Sequence, residues 1–356
     1  MPELTVVTSS RVPSGSPVLD FDLIDRDGRL LIVCTDFDSR VFCWDPTTDQ
    51  WTAHRLDIPS DAFPAVELTE ICAAVVDGRI VVGGGGDHQD FAQWDLETGT
   101  VLEGADGGGV SSARAVTLGG RTLFVIGYTG PAIAVQSPAK HDGADTGVLD
   151  GEEPREDERD SFWTETDELE CGGSIATGTL GSRPVIASLG VQGGIIVWDI
   201  EEECPVTELD EPDGIDDAAV GHFALATVKD RVLLIAAGER VLSACDLSAP
   251  DAPEWAEPII VPGGDIECLD ATVVNGRAVA ATGGGDGTFC IWDMADRRLL
   301  AEPNTAHGSS PYPDAPSEVF AVRFAELNTR PVAITCGRDG TLRVWNLPST
   351  GNDKRS

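Results

Sequence analysis

Seven arginines, each trailed at a near-constant distance by Trp-Asp or a worn copy of it, predict an all-β chain built as a single seven-bladed β-propeller of four-stranded antiparallel blades. The first observation is a set of four pairs, Trp44-Asp45, Trp94-Asp95, Trp198-Asp199 and Trp292-Asp293, with a near copy at Trp345-Asn346. The second is Arg29, Arg79, Arg183, Arg277 and Arg330, each opening an apolar run 15 residues before its Trp. The third is Arg121 and Arg231, where no Trp follows and Val135-Gln136 and Cys245-Asp246 stand 14 residues on. These two read as degenerate repeats that have lost the aromatic and one turn residue.

Within a repeat the pattern is β and not helical. In the sixth, Cys268 to Val274 is a strand, and Asn275-Gly276 is a hairpin turn dipeptide. Arg277 to Thr282 is the second strand, Gly283 to Gly287 a turn, Thr288 to Trp292 the third strand, and Leu299 to Glu302 a fourth, outer one. One such sheet cannot bury its own faces, so the repeats must stack.

The chain resembles the WD40-repeat family. The best matches are Trp292-Asp293 after Asp286-Gly287-Thr288, and Trp345-Asn346 after Asp339-Gly340-Thr341. The resemblance runs from about Val18 to Leu347 and departs from the pattern in two ways. Repeats three and five lack Trp, and Gly-His occurs only at Gly221-His222. The family's His–Ser/Thr–Asp–Trp network is therefore expected to be incomplete in every blade. Asp38, Asp286 and Asp339, six residues before a Trp, take a turn-stabilising role by the same resemblance.

The propeller is expected to span residues 1–347, with a polar tail at 348–356. No strand follows Trp345-Asn346, and Leu4 to Thr8 is a spare β-prone segment, so the N-terminal strand is expected to close the last blade and cover its edge. Repeat four arrives 63 residues after repeat three, against 41 to 53 elsewhere. The excess, about 137–172 in blade three, reads as an acidic disordered insertion. Phe162-Trp163-Thr164 within it is a candidate outer strand.

Charge excludes several functions. The 356 residues carry 61 Asp plus Glu against 24 Lys plus Arg, a formal net charge of −37. Such a field repels phosphate, which argues against nucleic acid and anionic membranes and for a basic protein partner. No apolar run approaches the length of a membrane span, and the N-terminal residues lack a signal-peptide pattern. Nine cysteines with no CxxC, mostly inside apolar runs, read as buried thiols in a reducing cytoplasm. The Lys-poor composition and degenerate repeats resemble bacterial WD40 proteins.

Candidate residues follow from strand geometry. Each repeat Arg begins the second strand and each Asp after Trp ends the third, so Arg29–Asp45, Arg79–Asp95, Arg183–Asp199 and Arg277–Asp293 should face each other as structural pairs. Gly83–Gly86 and Gly283–Gly287 do not fit a phosphate loop and are expected at tight turns, where glycine supplies positive φ. Asp87-His88-Gln89-Asp90 is too sparse for a zinc site. No catalytic, cofactor or metal constellation is legible.

The resemblance implies that the turn tips and repeat-joining loops share one face. On it the expected partner-binding residues are Phe37, Phe63, His88, Phe91, Tyr128, Gln192, Arg240, Tyr312 and Arg338, because aromatics and Arg are enriched at binding hot spots. The functional expectation is a non-catalytic scaffold, a monomer on its own, that binds another protein through this face or the acidic insertion. The alternative is an enzyme or small-molecule binder with a site at the central channel mouth. Acids or His on several inner strands would mark it, and Asp20, Asp22, Asp217, Glu267 and Asp270 are the candidates.

Overall fold

A computed structural model describes residues 1–59, 65–104, 108–118, 120–140, 163–170, 174–212, 220–249, 253–308 and 317–348. A first strand, β1 (Val6–Arg11), precedes the repeats. Blade one is β2 (Val18–Arg26), β3 (Arg29–Asp36), β4 (Val41–Asp45) and β5 (Gln50–His54). Blade two is β6 (Glu70–Val76), β7 (Arg79–Gly86), β8 (Gln89–Asp95) and β9 (Val101–Gly104). Blade three is β10 (Val110–Leu118), β11 (Arg121–Tyr128), β12 (Ile133–Gln136) and β13 (Trp163–Thr166). In blade four, β14 (Leu169–Glu170) and β15 (Ala176–Leu180) both pair with β16 (Arg183–Gly190), followed by β17 (Ile195–Asp199) and β18 (Cys204–Leu209).

Blade five is β19 (Val220–Val228), β20 (Arg231–Gly238), β21 (Val241–Asp246) and β22 (Ile259–Ile260). Blade six is β23 (Ile266–Val274), β24 (Arg277–Gly284) and β25 (Thr288–Asp293), with β26 (Arg298–Leu299) and β27 (Asn304–Thr305) both on β25. Blade seven is β28 (Val319–Leu327), β29 (Arg330–Gly337) and β30 (Thr341–Asn346), and β1 completes it by pairing antiparallel with β30. The first strand of each blade packs on the first strand of the next, and β28 returns to β2, closing the ring. The two-residue hairpins work because their residues reach positive φ: Asp27-Gly28 at 56° and 76°, Asn275-Gly276 at 51° and 73°.

The core lies between blades. Trp44 packs with Ile334 and Val344 of blade seven, Trp94 with Val33 and Val41 of blade one, and Trp198 with Leu123 and Val125 of blade three. Trp292 and Trp345 likewise meet the preceding blade. Each marker Trp is thus the wedge that joins its blade to the one before. Blade five has Cys245 at this place, and Trp255 bridges to it, packs on the same cluster and donates Nε1–H to the Asp210 carbonyl at 2.7 Å. The lost aromatic is supplied from ten residues further on.

The arginines and aspartates show why both recur. Asp45 Oδ1 accepts the Thr47 amide at 2.8 Å, fixing the turn after β4, while its other oxygen takes Arg29. The same arrangement joins Arg79 to Asp95 (2.6 Å), while in Asp293 the oxygen that takes the turn amides also accepts from Arg277 (2.9 Å). Arg231 meets Asp246 at 2.6 Å, and Arg183 lies at 3.9 Å from Asp199. Burial opposes ionisation of Asp45, but Arg29 and the turn amides outweigh it and hold its carboxyl below the usual range. With the arginines largely in solvent, each pair contributes about 0–1 kcal/mol.

Two sequence expectations need correction. Gly83–Gly86 lie within β7 and not at a turn, and none has positive φ. Their smallness serves packing: a Cβ on Gly83 would sit 2.3 Å from the Phe91 ring, and one on Gly283 would sit 2.6 Å from both Cys268 and Val319. Only Gly287, at φ 84°, has the expected turn role in the second run. The second correction concerns the polar network, which is complete in blade seven. His307 Nδ1 meets Asp339 at 2.9 Å, His307 Nε2 meets Thr335 Oγ1 at 3.0 Å, and Trp345 Nε1 donates to the same hydroxyl at 3.0 Å. The histidine comes from a His307-Gly308 dipeptide and not from Gly-His.

Candidate functional site at the channel mouth

The turns between second and third strands sit on the same face as the starts of the inner strands. Phe37 N–H donates to the Pro17 carbonyl at 2.9 Å, Gly285 to Asp265 at 2.9 Å and Arg338 to Glu318 at 3.1 Å. Turn tips therefore ring the mouth of the central channel. Phe37 stands at a tip with 59% of its surface exposed. His88, Gln192 and Arg240 are exposed, and Arg240 donates to the Val261 carbonyl at 3.3 Å. Tyr128 is half-buried, and burial, with Glu165, Asp90 and Glu103 nearby, pushes its hydroxyl up to about 12. Arg338 pairs with Glu318 and lies 5.1 Å from the Phe320 ring centroid.

These residues come one from each of several blades and form a ring and not a patch. Phe91 does not belong with them. It is 2% exposed and packs edge-on against Phe124, because all seven residues of β8 are buried and its third residue points into the core. Phe63, Tyr312 and Asp217, with the bulk of the acidic insertion, lie outside the described residues.

Inside the ring, a cavity of about 310 Å³ is lined by residues of all seven blades. They include Asp20, Glu70, Ser112, Ser174, His222, Glu267 and Arg323. Five inner strands start with the same irregularity. Register shifts between Val18 and Asp20, Val110 and Ser112, Val220 and His222, Ile266 and Cys268, and Val319 and Ala321. A bulge lets two consecutive residues face one side, so Leu19 with Asp20, Ser111 with Ser112, and Glu267 with Cys268 all reach the mouth.

Two residues further along the inner strands of blades three, six and seven stand charged side chains, and Arg114 and Arg323 line the same cavity. Arg114 of blade three approaches Asp270 of blade six at 3.8 Å, and Arg323 of blade seven bonds Asp20 of blade one at 3.1 Å. The acids also lace neighbouring blades: Asp20 accepts the Ile71 amide at 3.1 Å, Asp22 the Ala73 amide at 2.9 Å and Asp270 the Phe324 amide at 2.8 Å. Burial pushes Asp22 up to about 6, against the pull of Arg323. Burial would lower Arg323, but Asp20, Asp270, Asp22 and Glu70 reverse the direction. Burial and then Arg114 push His222 down to about 4, so its ring is neutral.

Glu70 and Glu267 make no hydrogen bond or ion pair with any described residue. Burial, reinforced by Asp20 and opposed by Arg323 and Arg114, pushes Glu70 well above the ordinary carboxylate range; Glu267 is raised by burial and by Glu318 and Asp265. The Cys268 thiol is pushed up to about 12 by burial and is no thiolate nucleophile. Among the described residues no group of three or more His, Cys, Asp or Glu is arranged to hold a metal ion. Asp20, Asp22, Glu267 and Asp270 had been singled out in the sequence; Glu70, Arg114, His222 and Arg323 as channel residues had not.

The ring of seven blades, with its wedge tryptophans and the His307–Thr335–Asp339–Trp345 network, has the fold of a seven-bladed β-propeller. Residues 312–346 match the family model described as WD domain, G-beta repeat. A crystal structure of the WD40 beta propeller domain of Doa1 is similar in fold at 15% sequence identity, with 98% of each chain covered and a TM-score of 0.62. No curated protein matches the chain.

Proposed function

We propose that this propeller is a non-catalytic interaction scaffold that takes a protein partner with a basic surface on its loop-rich face. WD40 propellers commonly act this way, and fold analogy sets only the class. The observation that carries the reading for this chain is electrostatic. At the centre of the loop-rich face, exposed Glu267 lines the channel mouth beside Glu318 and Asp265, in a chain of net charge −37. Exposed Phe37 and Arg240 on the surrounding tips are residue types suited to a contact rim. The eight described cysteines are all free thiols, in keeping with a reducing compartment, which we take to be a bacterial cytoplasm. No described helix is long and apolar enough to cross a membrane.

Carboxyl-to-amine cross-linking in native lysate suits a chain with only three lysines and an excess of acids. The expected result is zero-length cross-links from mouth and tip residues to lysines of one partner, weakened by salt. Cross-links confined to the outer strands would overturn the reading.

A second reading, a small-molecule site, is favoured by the cavity itself, since seven blades converge on it. A low-molecular-weight compound co-purifying with the chain, in place of any protein, would decide for it.

A further inference from the structure

Resting on the scaffold reading for its role, we infer that Ser16 is a phosphorylation site, and that its phosphate draws Arg40 off the blade-one tip that carries Phe37. Ser16 lies between β1 and β2, in the segment Val12-Pro13-Ser14-Gly15-Ser16-Pro17. This segment borders the tip, since the Pro17 carbonyl accepts the Phe37 amide at 2.9 Å. The Ser16 hydroxyl donates to Asp38 Oδ2 at 2.8 Å and accepts from Arg40 Nη2 at 2.8 Å. Arg40 has a second duty. Its Nε donates to Asp36 Oδ2 at 2.9 Å, and it also pairs with Asp38. Asp36 is fully buried, and its other oxygen accepts the amides of Asp38 and Arg40, both at 3.0 Å. The shape of the tip thus depends on Asp36, and Arg40 balances the buried charge.

Two arginines flank the hydroxyl in a chain poor in them. Arg11 Nη2 donates to the Gly15 carbonyl at 3.1 Å, one residue from Ser16, and Arg11 pairs with no carboxylate among the described residues. A phosphoserine carries about −1.5 to −2 charges at neutral pH, and beside arginines it makes about one to three charge-assisted hydrogen bonds. On Ser16 it would meet Arg40 directly, with Arg11 in reach as a second cation. It would also repel Asp38, whose side chain is 56% exposed and can turn into solvent. Arg40 would then follow the phosphate, and Asp36 would lose its counter-charge beneath the tip. In the transfer, Ser16 Oγ bonds the γ-phosphorus of a nucleoside triphosphate held by a separate kinase. The bond to the β-phosphate oxygen breaks, the hydroxyl proton passes to the kinase's base, and the nucleoside diphosphate leaves.

The test uses the full chain with phosphoserine placed at residue 16 by codon reassignment, beside the unmodified chain. Free phosphoserine takes up its second proton at about pH 6. On the chain its ³¹P titration should move down by at least about half a pH unit, and Arg40→Gln should undo most of that shift. If Arg40→Gln does not fold, Arg11→Gln on the exposed end of β1 is read by the same criterion. Solvent exchange of the Phe37 and Arg40 amides should quicken about tenfold, while amides within β16 keep their rates. A titration at the free value, or unchanged exchange at the tip, would overturn the inference. Phosphopeptide mapping of the chain from its own cells should find the phosphate on Ser16. Phosphate on other residues alone, or none in growing and stationary cells, would also overturn it. Cross-linking in native lysate separates the two readings. A tip that opens in a chain with no partner in either state keeps the site and removes the scaffold; equal cross-links in both states keep the scaffold and overturn the switch.

Discussion

Arg323 and Asp20 are 303 residues apart in sequence and 3.1 Å apart in the ring, joining blade seven to blade one inside the channel. The guanidinium also lies 5.6 Å from the centroid of the Phe21 ring, and Asp20 continues the link to blade two through the Ile71 amide. Removing one member leaves a buried charge uncompensated. Arg323→Met should destabilise the fold by about 3–5 kcal/mol, and adding Asp20→Asn should restore part of that. Urea unfolding of the two single variants and the double variant measures the coupling; strict additivity would show that the pair is not a unit.

The blade-seven network makes a parallel prediction. Thr335 accepts from Trp345 and meets His307, so Thr335→Val leaves two buried polar groups unbonded. We expect a loss of about 1–3 kcal/mol for each group left unsatisfied, and a much smaller further loss when His307→Phe is added. Thermal unfolding of the variants is the measurement.

Acid sensitivity has two opposing sources in the channel. His222 titrates near 4 in the fold against 6.5 for an unperturbed ring. The unfolded chain therefore binds the extra proton first, and this stability is full above about 6.5 and lost as pH falls toward 4. Asp22 has the opposite sign. Its carboxyl titrates near 6 in the fold against 3.8, so the folded state binds the proton first and acid favours folding over that window. His222→Gln should remove a loss on the order of 2 kcal/mol between pH 7 and pH 5. Asp22→Asn should make the acid loss steeper. Denaturant midpoints at the two pH values check both signs.

Phe91 and Phe37 separate core from contact. Phe91→Ala should cost about 3–5 kcal/mol, the usual range for a buried phenylalanine. Phe37→Ala should change stability by less than about 0.5 kcal/mol, as expected for an exposed site, while reducing partner cross-linking. Gly83→Ala should be destabilising through the Phe91 ring, and Phe91→Leu in the same chain should relieve part of it.

The blades were legible because their determinants are local and recur. An Arg–Trp–Asp spacing fixes a hairpin and its wedge, and seven copies fix the ring. The mouth was not legible for a definite reason. Bulges at Leu19, Ser111 and Glu267 break the alternation of faces, so strict two-residue counting misassigns the residues around them. Arg114 and Asp270 do obey the alternation, but their meeting across the channel is a relation between blades three and six that no single repeat encodes. Phe91 was misplaced because β8 begins at Gln89, directly after a two-residue tip, which leaves no loop for an aromatic to occupy. The role of His307 in the network was not legible because its partners Thr335, Asp339 and Trp345 lie about 30 residues on, in the hairpin of blade seven.

The pairing of β1 with β30 has a consequence for how the molecule is made. Val6 faces Trp345 and Arg11 faces Thr341, so β1 finds its neighbours only after every blade between them has been synthesised. Until then β1 waits as an unpaired edge, and six blades stand as an open arc. Ring closure is then a late event between two strands on either side of all the repeats, slowed by their separation in sequence. A strand-mimicking peptide with the sequence of Val6–Arg11, present during synthesis, would compete for that edge and trap the arc before it shuts.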